Sequence, residues 1–183
     1  KLLDKTFKIG ADTFFQVNPR SAENIFKYVK NEVSKIEKPT VLDAYAGIAT
    51  FGICVSDVSG KVTSVEENSA SIEKAKEVLE LNNIKNVELF AQDTLKYLKS
   101  IKKKFDVIIL DPPRKGCTQD VLDETLLHAK SKIIYVSCNP ATLARDLKYL
   151  TEHGAKVDSI QPFDMFCHTY HIENVAIIEL PNI

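Results

Sequence analysis

A chain of 183 residues suits a single domain of about 150 residues with a short extension. Its 24 Lys+Arg against 25 Asp+Glu leave a net charge of −1, and 44% of residues are hydrophobic, which excludes a disordered chain and a strongly basic nucleic-acid grip on this stretch alone. No apolar run approaches the roughly 18 residues that a membrane span needs.

The opening Lys1-Leu2-Leu3-Asp4 has neither an initiator Met nor a signal-peptide layout, so a piece of a longer cytoplasmic protein is expected. Residues 1–18 read as the end of a linker or upstream element, and 19–183 as one folded domain. Ala22, Ile25, Phe26, Val29, Val33 and Ile36 mark a helical face, with Asn18 as N-cap and Pro19 at the first helical position. Strands are predicted at 41–43, 62–65, 87–90, 105–110, 133–136, 157–160 and 175–180. Helical patterns run over 72–82, 94–103, 119–130 and 143–150. Regular alternation predicts an α/β, doubly wound, mostly parallel seven-stranded sheet with helices on both faces. Only a loop, 163–174, separates the last two strands, so an antiparallel pair is expected at one edge. Cys54, Cys117, Cys138 and Cys167 form no Cys-x-x-Cys pair, read as reduced thiols, and suggest no metal in this domain.

In such a sheet ligands bind beyond the carboxyl ends of the strands. The first strand end reads Asp43-Ala44-Tyr45-Ala46-Gly47-Ile48-Ala49-Thr50, a turn with small residues where a backbone can approach a ligand closely. Glu66 follows Gly47 by 19 residues, the spacing of a carboxylate that binds a ribose hydroxyl pair. Either Glu66 or Glu67 can instead cap the next helix. Asp93 suits the amino group of an adenine or, equally, a helix cap. These positions indicate an adenosine-bearing cofactor without choosing between a nicotinamide dinucleotide and S-adenosylmethionine. The fourth strand runs into Asp111-Pro112-Pro113-Arg114-Lys115-Gly116, a stiffened loop that offers a carboxylate and a guanidinium suited to a carbonyl-rich base. Cys138 stands between the fifth strand and a helix start, where the helix dipole is expected to lower the thiol pKa. Glu173 precedes the last strand, where it is either a solvated carboxylate or, equally, a general base facing the loops after the fourth and fifth strands.

Four ordered motifs carry a resemblance: Phe14-Phe15-Gln16-Val17-Asn18-Pro19, Asp111 to Gly116, Ser137-Cys138-Asn139-Pro140-Ala141-Thr142-Leu143-Ala144-Arg145-Asp146-Leu147, and His168-Thr169-x-His171-Ile172-Glu173-x-Val175. Together they resemble the catalytic domain of the RNA uracil-C5 methyltransferases that make 5-methyluridine in tRNA or 23S rRNA. The resemblance implies a Rossmann-like fold, Cys138 as nucleophile and Glu173 as base. It further implies S-adenosylmethionine contacts at Gln16, Tyr45, Glu66, Asp93 and Asp111, with Arg114 on the substrate base. An RNA partner follows, with 23S rRNA favoured over tRNA, bound mainly through N-terminal domains outside this chain. The turn departs from the family's usual Cys-Gly-x-Gly in reading Ala46-Gly47-Ile48-Ala49, and Cys167 stands where a Pro is common. Competing readings are an RNA cytosine-C5 methyltransferase, an inert S-adenosylmethionine- or RNA-binding domain and, third, an NAD-linked oxidoreductase.

Overall fold

A computed structural model describes residues 1–7, 19–165 and 172–181. The elements alternate in chain order as α1 (Pro19–Ser34), β1 (Thr40–Ala44), α2 (Thr50–Val55), β2 (Lys61–Glu66), α3 (Ser69–Leu81), β3 (Val87–Ala91), α4 (Thr94–Ser100), β4 (Phe105–Leu110), α5 (Gln119–His128), β5 (Ala129–Ser137), α6 (Pro140–Glu152), β6 (Lys156–Phe163) and β7 (Glu173–Glu179). All seven expected strands form, and β5 starts four residues earlier than its apolar run. Lys130, Ser131 and Lys132 hide that extension from hydropathy, yet Lys132 is buried against Glu32 of α1, its Nζ donating to Oε2 at 3.0 Å.

The sheet order is β3-β2-β1-β4-β5-β7-β6. The first five strands pair in parallel, and β7 runs antiparallel between β5 and β6. The expected antiparallel pair therefore lies at one edge, with the last strand inserted one place inside it. A hairpin connection is too short for a right-handed crossover, so the two strands can only run in opposite directions.

Alternate residues of each strand face opposite sides, and both sides are dry. Val41, Val62, Val107, Ile109, Ile134 and Ile177 pack with Phe26 and Val29 of α1, Ile53 of α2 and Val78 of α3. Leu42, Val65, Ile108, Leu110, Ile133 and Ile178 pack with Leu98 of α4, Leu122 of α5 and Leu143 and Leu150 of α6. Leu2 is buried in the first of these cores, and Thr6 exchanges two hydrogen bonds with Asn82, Thr6 N donating to Oδ1 at 2.8 Å and Nδ2 donating to Thr6 O at 2.9 Å. Among the described residues no helix is long and apolar enough to cross a membrane.

Because β2 and β3 lie on one side of β1 and β4 on the other, the chain reverses direction of build between β1 and β4. That reversal opens a crevice at the carboxyl ends of these strands.

Candidate active site

Six strand boundaries meet at one rim. Tyr45 follows β1, Glu66 closes β2, Asp93 lies just past β3, Asp111 follows β4 and Cys138 follows β5. Since β7 is reversed, its first residue, Glu173, reaches the same rim. A crevice of about 460 Å³ there is lined by Tyr45, Glu66, Asp93, Asp111, Pro113 and Lys115, among others. Gln16, Asn18, Cys167 and His168 lie outside the described residues.

The turn after β1 is wound tightly. Tyr45, Gly47 and Ala49 all take left-handed backbone, with φ of 59, 55 and 58°. Ala46 N donates to Val65 O at 3.0 Å and Ala49 N to Ala46 O at 2.8 Å. For the two non-glycine residues this geometry costs about 1–2 kcal/mol each. Nothing lies within 4 Å of the place where a Cβ on Gly47 would sit, so a ligand can press onto that backbone. Glu66 is braced from below: Oε2 accepts from Gly47 N and Oε1 from Asn68 N, both at 2.9 Å. Each oxygen keeps a second lone pair for a hydroxyl donor. The cap of α3 is supplied by Asn68, whose Oδ1 accepts from Ala70 N and Ser71 N, and not by Glu66 or Glu67. Asp93 does cap α4, accepting from Lys96 N at 2.9 Å, and also lines the crevice. This rim suits a ligand that carries a vicinal diol and a positive charge.

Beneath the turn lies Asp43, which sequence reasoning passed over as a functional position. It is fully buried, and its Oδ2 accepts from Gly52 N at 2.9 Å and Ser64 Oγ at 3.0 Å, while Oδ1 has no partner. Burial, reinforced by the charges of Asp111 and Glu66, outweighs those two hydrogen bonds and pushes its pKa up to about 7. The available signal was an acid inside the otherwise apolar run Val41-Leu42-Asp43-Ala44.

At the other end of the crevice, Ser137 of β5 pairs with Asn174 of β7, so the next residues along each strand, Cys138 and Glu173, are neighbours. Glu173 is buried, and burial followed by the charge of Asp111 pushes its carboxyl up to about 8. Burial also pushes Asp111 up to about 7. Cys138 is half-buried, whereas Cys54 and Cys117 are buried thiols pushed up to about 12 chiefly by burial. The expectation of a lowered Cys138 pKa is corrected: burial and the Glu173 carboxylate raise it, outweighing the Arg114 guanidinium. The start of α6 is already served by Asn139, whose Oδ1 accepts from Ala141 N at 3.0 Å. Arg114 is exposed on its loop, and its backbone carbonyl accepts from Asn139 Nδ2 and Thr142 Oγ1 at 3.3 and 3.2 Å.

Known proteins share this chain's sequence pattern and fold. The family model described as tRNA (Uracil-5-)-methyltransferase matches residues 3–180. An uncharacterised RNA methyltransferase of Caldanaerobacter subterraneus is 38% identical over 179 residues, covering 98% of this chain and 40% of the relative. Another, from Bacteroides thetaiotaomicron, is 41% identical over 179 residues, covering 95% of this chain and 39% of its own length. The chain thus spans about two fifths of the curated relatives it matches. Among solved structures, the Pyrococcus abyssi tRNA (uracil-54, C5)-methyltransferase in complex with S-adenosyl-L-homocysteine superposes with a TM-score of 0.82 at 35% identity, over 97% of this chain and 43% of that one. An S-adenosylmethionine-dependent methyltransferase of Agrobacterium tumefaciens shares the fold alone, with a TM-score of 0.77 at 15% identity, over 98% of this chain and 68% of that one. The chain belongs to the tRNA (uracil-5-)-methyltransferase family.

Proposed function

We propose that this chain is the catalytic domain of an RNA methyltransferase that converts a uridine to 5-methyluridine, with S-adenosylmethionine as methyl donor. One observation carries the reading: the β5–β7 register sets a half-buried thiol beside a buried carboxylate at the mouth of an acidic crevice. Tyr45, Glu66, Asp93 and Asp111 would hold the donor, Glu66 taking the ribose hydroxyls, with Gln16 as a further contact. The donor supplies an electrophilic methyl group on a sulfonium.

Uracil C5 is a weak nucleophile, and this chain's residues change that. Cys138 Sγ bonds to C6, and the C5–C6 π electrons move onto the C4 carbonyl as an enolate. Arg114, on the loop after β4, would stabilise the developing charge. C5 would take the methyl group as the methyl–sulfur bond breaks, the electron pair staying on sulfur so that the donor leaves as a neutral thioether. Glu173 then removes the C5 proton, the C5–C6 double bond reforms and the Cys138–C6 bond breaks, returning the thiolate. The base must leave its stack to reach this rim, and the chain's net charge of −1 fits an RNA held chiefly by regions outside it.

The test uses the full-length protein and RNA that contains 5-fluorouridine. Fluorine cannot leave as a cation, so a covalent adduct at Cys138 is expected, dependent on S-adenosylmethionine. Glu173→Gln should trap an adduct with ordinary uridine, and Cys138→Ala should form none. An adduct mapped to Cys167 would overturn the assignment. Mapping the 5-methyluridine lost from a strain without the protein decides between 23S rRNA and tRNA.

A further inference from the structure

Among the buried acids that the crevice chemistry does not use, Asp146 lies nearest in the chain to Cys138. Asp146 on α6 is 1% exposed, yet it faces no ligand and lies in none of the roles above. Its Oδ1 accepts from Arg145 Nε at 2.8 Å, and its Oδ2 accepts from Tyr135 Oη at 2.6 Å and from Cys117 N at 2.9 Å. The Arg145 guanidinium, held in place by Asp146, also donates through Nη2 to the carbonyls of Lys115 and Cys117 at 3.0 and 3.1 Å. Asn139 and Thr142, at the start of the same helix, hold the carbonyl of Arg114. Gly116 fills the gap: its φ is +73°, and a Cβ there would meet Asp146 Oδ2 at 2.5 Å and Arg145 Nη2 at 2.7 Å. The backbone of residues 114–117 is thus tied at four points to the helix that begins two residues after Cys138.

We infer that Asp146 is a positioning residue: with Tyr135 and Arg145 it locks the Arg114 loop to α6, so that the guanidinium and the Cys138 thiol keep a fixed separation. The inference rests on the proposed roles of Arg114 and Cys138. A buried carboxylate with three donors has one strongly preferred geometry, which suits a residue that must hold a loop still.

The experiment measures the pH dependence of Cys138 alkylation by iodoacetamide, resolved by peptide mapping, alongside turnover of the full-length protein. Arg114→Ala removes the cation that favours the thiolate, so its alkylation midpoint should move up. Asp146→Asn should move the midpoint in the same direction, although loss of a nearby negative charge would by itself move it down. The double variant should move no further than Arg114→Ala. Turnover of Asp146→Asn should fall by about 10- to 100-fold, with the KM for S-adenosylmethionine changed by less than about twofold. Leu150→Ala, which opens the core under the same helix without touching the loop, should leave the midpoint in place. If Asp146→Asn does not fold, Tyr135→Phe removes one of the three donors and should move the midpoint upward by less. A folded Asp146→Asn or Tyr135→Phe with the wild-type midpoint and turnover would reduce Asp146 to a structural residue. A further shift in the double variant would show that it does not act through Arg114. Because alkylation requires neither RNA nor methyl donor, failure here and failure of the methyltransferase reading are separate results.

Discussion

Replacing Asp43 by asparagine tests how the crevice floor is built. The side chain is fully buried, one oxygen has no partner, and burial raises its pKa from 3.8 to about 7. An acid whose folded pKa lies above its unfolded value favours folding at low pH, and that contribution is lost as pH rises from the unfolded value through the folded one. Three pH units correspond to about 4 kcal/mol, a large part of the 5–15 kcal/mol typical of a domain. Asparagine has nearly the same shape and no charge to desolvate, but its amide would leave a donor unpaired where Oδ1 now sits, at about 1–3 kcal/mol. The Asp43→Asn variant should therefore be equal or inferior to the native protein at pH 5 and superior at pH 8.5. The stability difference between the two proteins should swing by about 3 kcal/mol over that range. Urea unfolding at both pH values measures it, and Asp111 and Glu173, present in both proteins, largely cancel. A difference that does not change with pH would mean that Asp43 is already ionised in the fold at pH 5, and the account of an uncompensated buried acid would be wrong.

Turnover should follow the ionisation of Glu173: below its pKa of about 8 the rate should fall about tenfold per pH unit, and Asp111→Asn should move that limb to lower pH by removing a neighbouring charge. A pH-rate profile at saturating RNA shows both. Glu32 is buried with Lys132; burial alone would raise its carboxyl, but hydrogen bonds from Lys35 and Lys132 hold it below the usual range. Glu32→Ala should cost about 3 kcal/mol at pH 7 by stranding the Lys132 ammonium, and adding Lys132→Met should recover most of it in thermal unfolding. The wild-type contribution of Glu32 should fade as pH drops below 4.5. Ala49→Gly relieves about 1–2 kcal/mol of left-handed strain, but forfeits a buried methyl of about 0.8 kcal/mol and adds unfolded-state entropy, so stability should change by less than about 1 kcal/mol. A larger change in the urea midpoint would show that the turn relaxes.

Sequence periodicity was a good guide wherever one face of an element is dry and its neighbours are not. Phe105–Leu110 is a strand at its expected limits because Lys102, Lys103 and Lys104 precede a run that is apolar except for Asp106. It failed where burial and polarity coincide. Lys132 reads as solvent-exposed until Glu32, a hundred residues away, neutralises it. Asp146 looks like one more charge on a helix, since nothing local reveals that Tyr135 and Cys117 point at it. The rim residues were legible for a different reason: strand ends are short, and polar residues there have few structural duties. The helix start beside Cys138 is a local signal, whereas the burial and the β7 carboxylate that raise its pKa come only with tertiary packing.

The insertion of β7 between β5 and β6 has a consequence for biosynthesis. The thiol emerges from the ribosome 35 residues before its carboxylate partner, and the strand that brings Glu173 takes its place between β5 and β6, both synthesised before it. A nascent chain folded through β5 would hold a bare cysteine with no base, in a sheet whose sixth position is still vacant. The Cys138–Glu173 pair is therefore completed only when β7 enters the sheet.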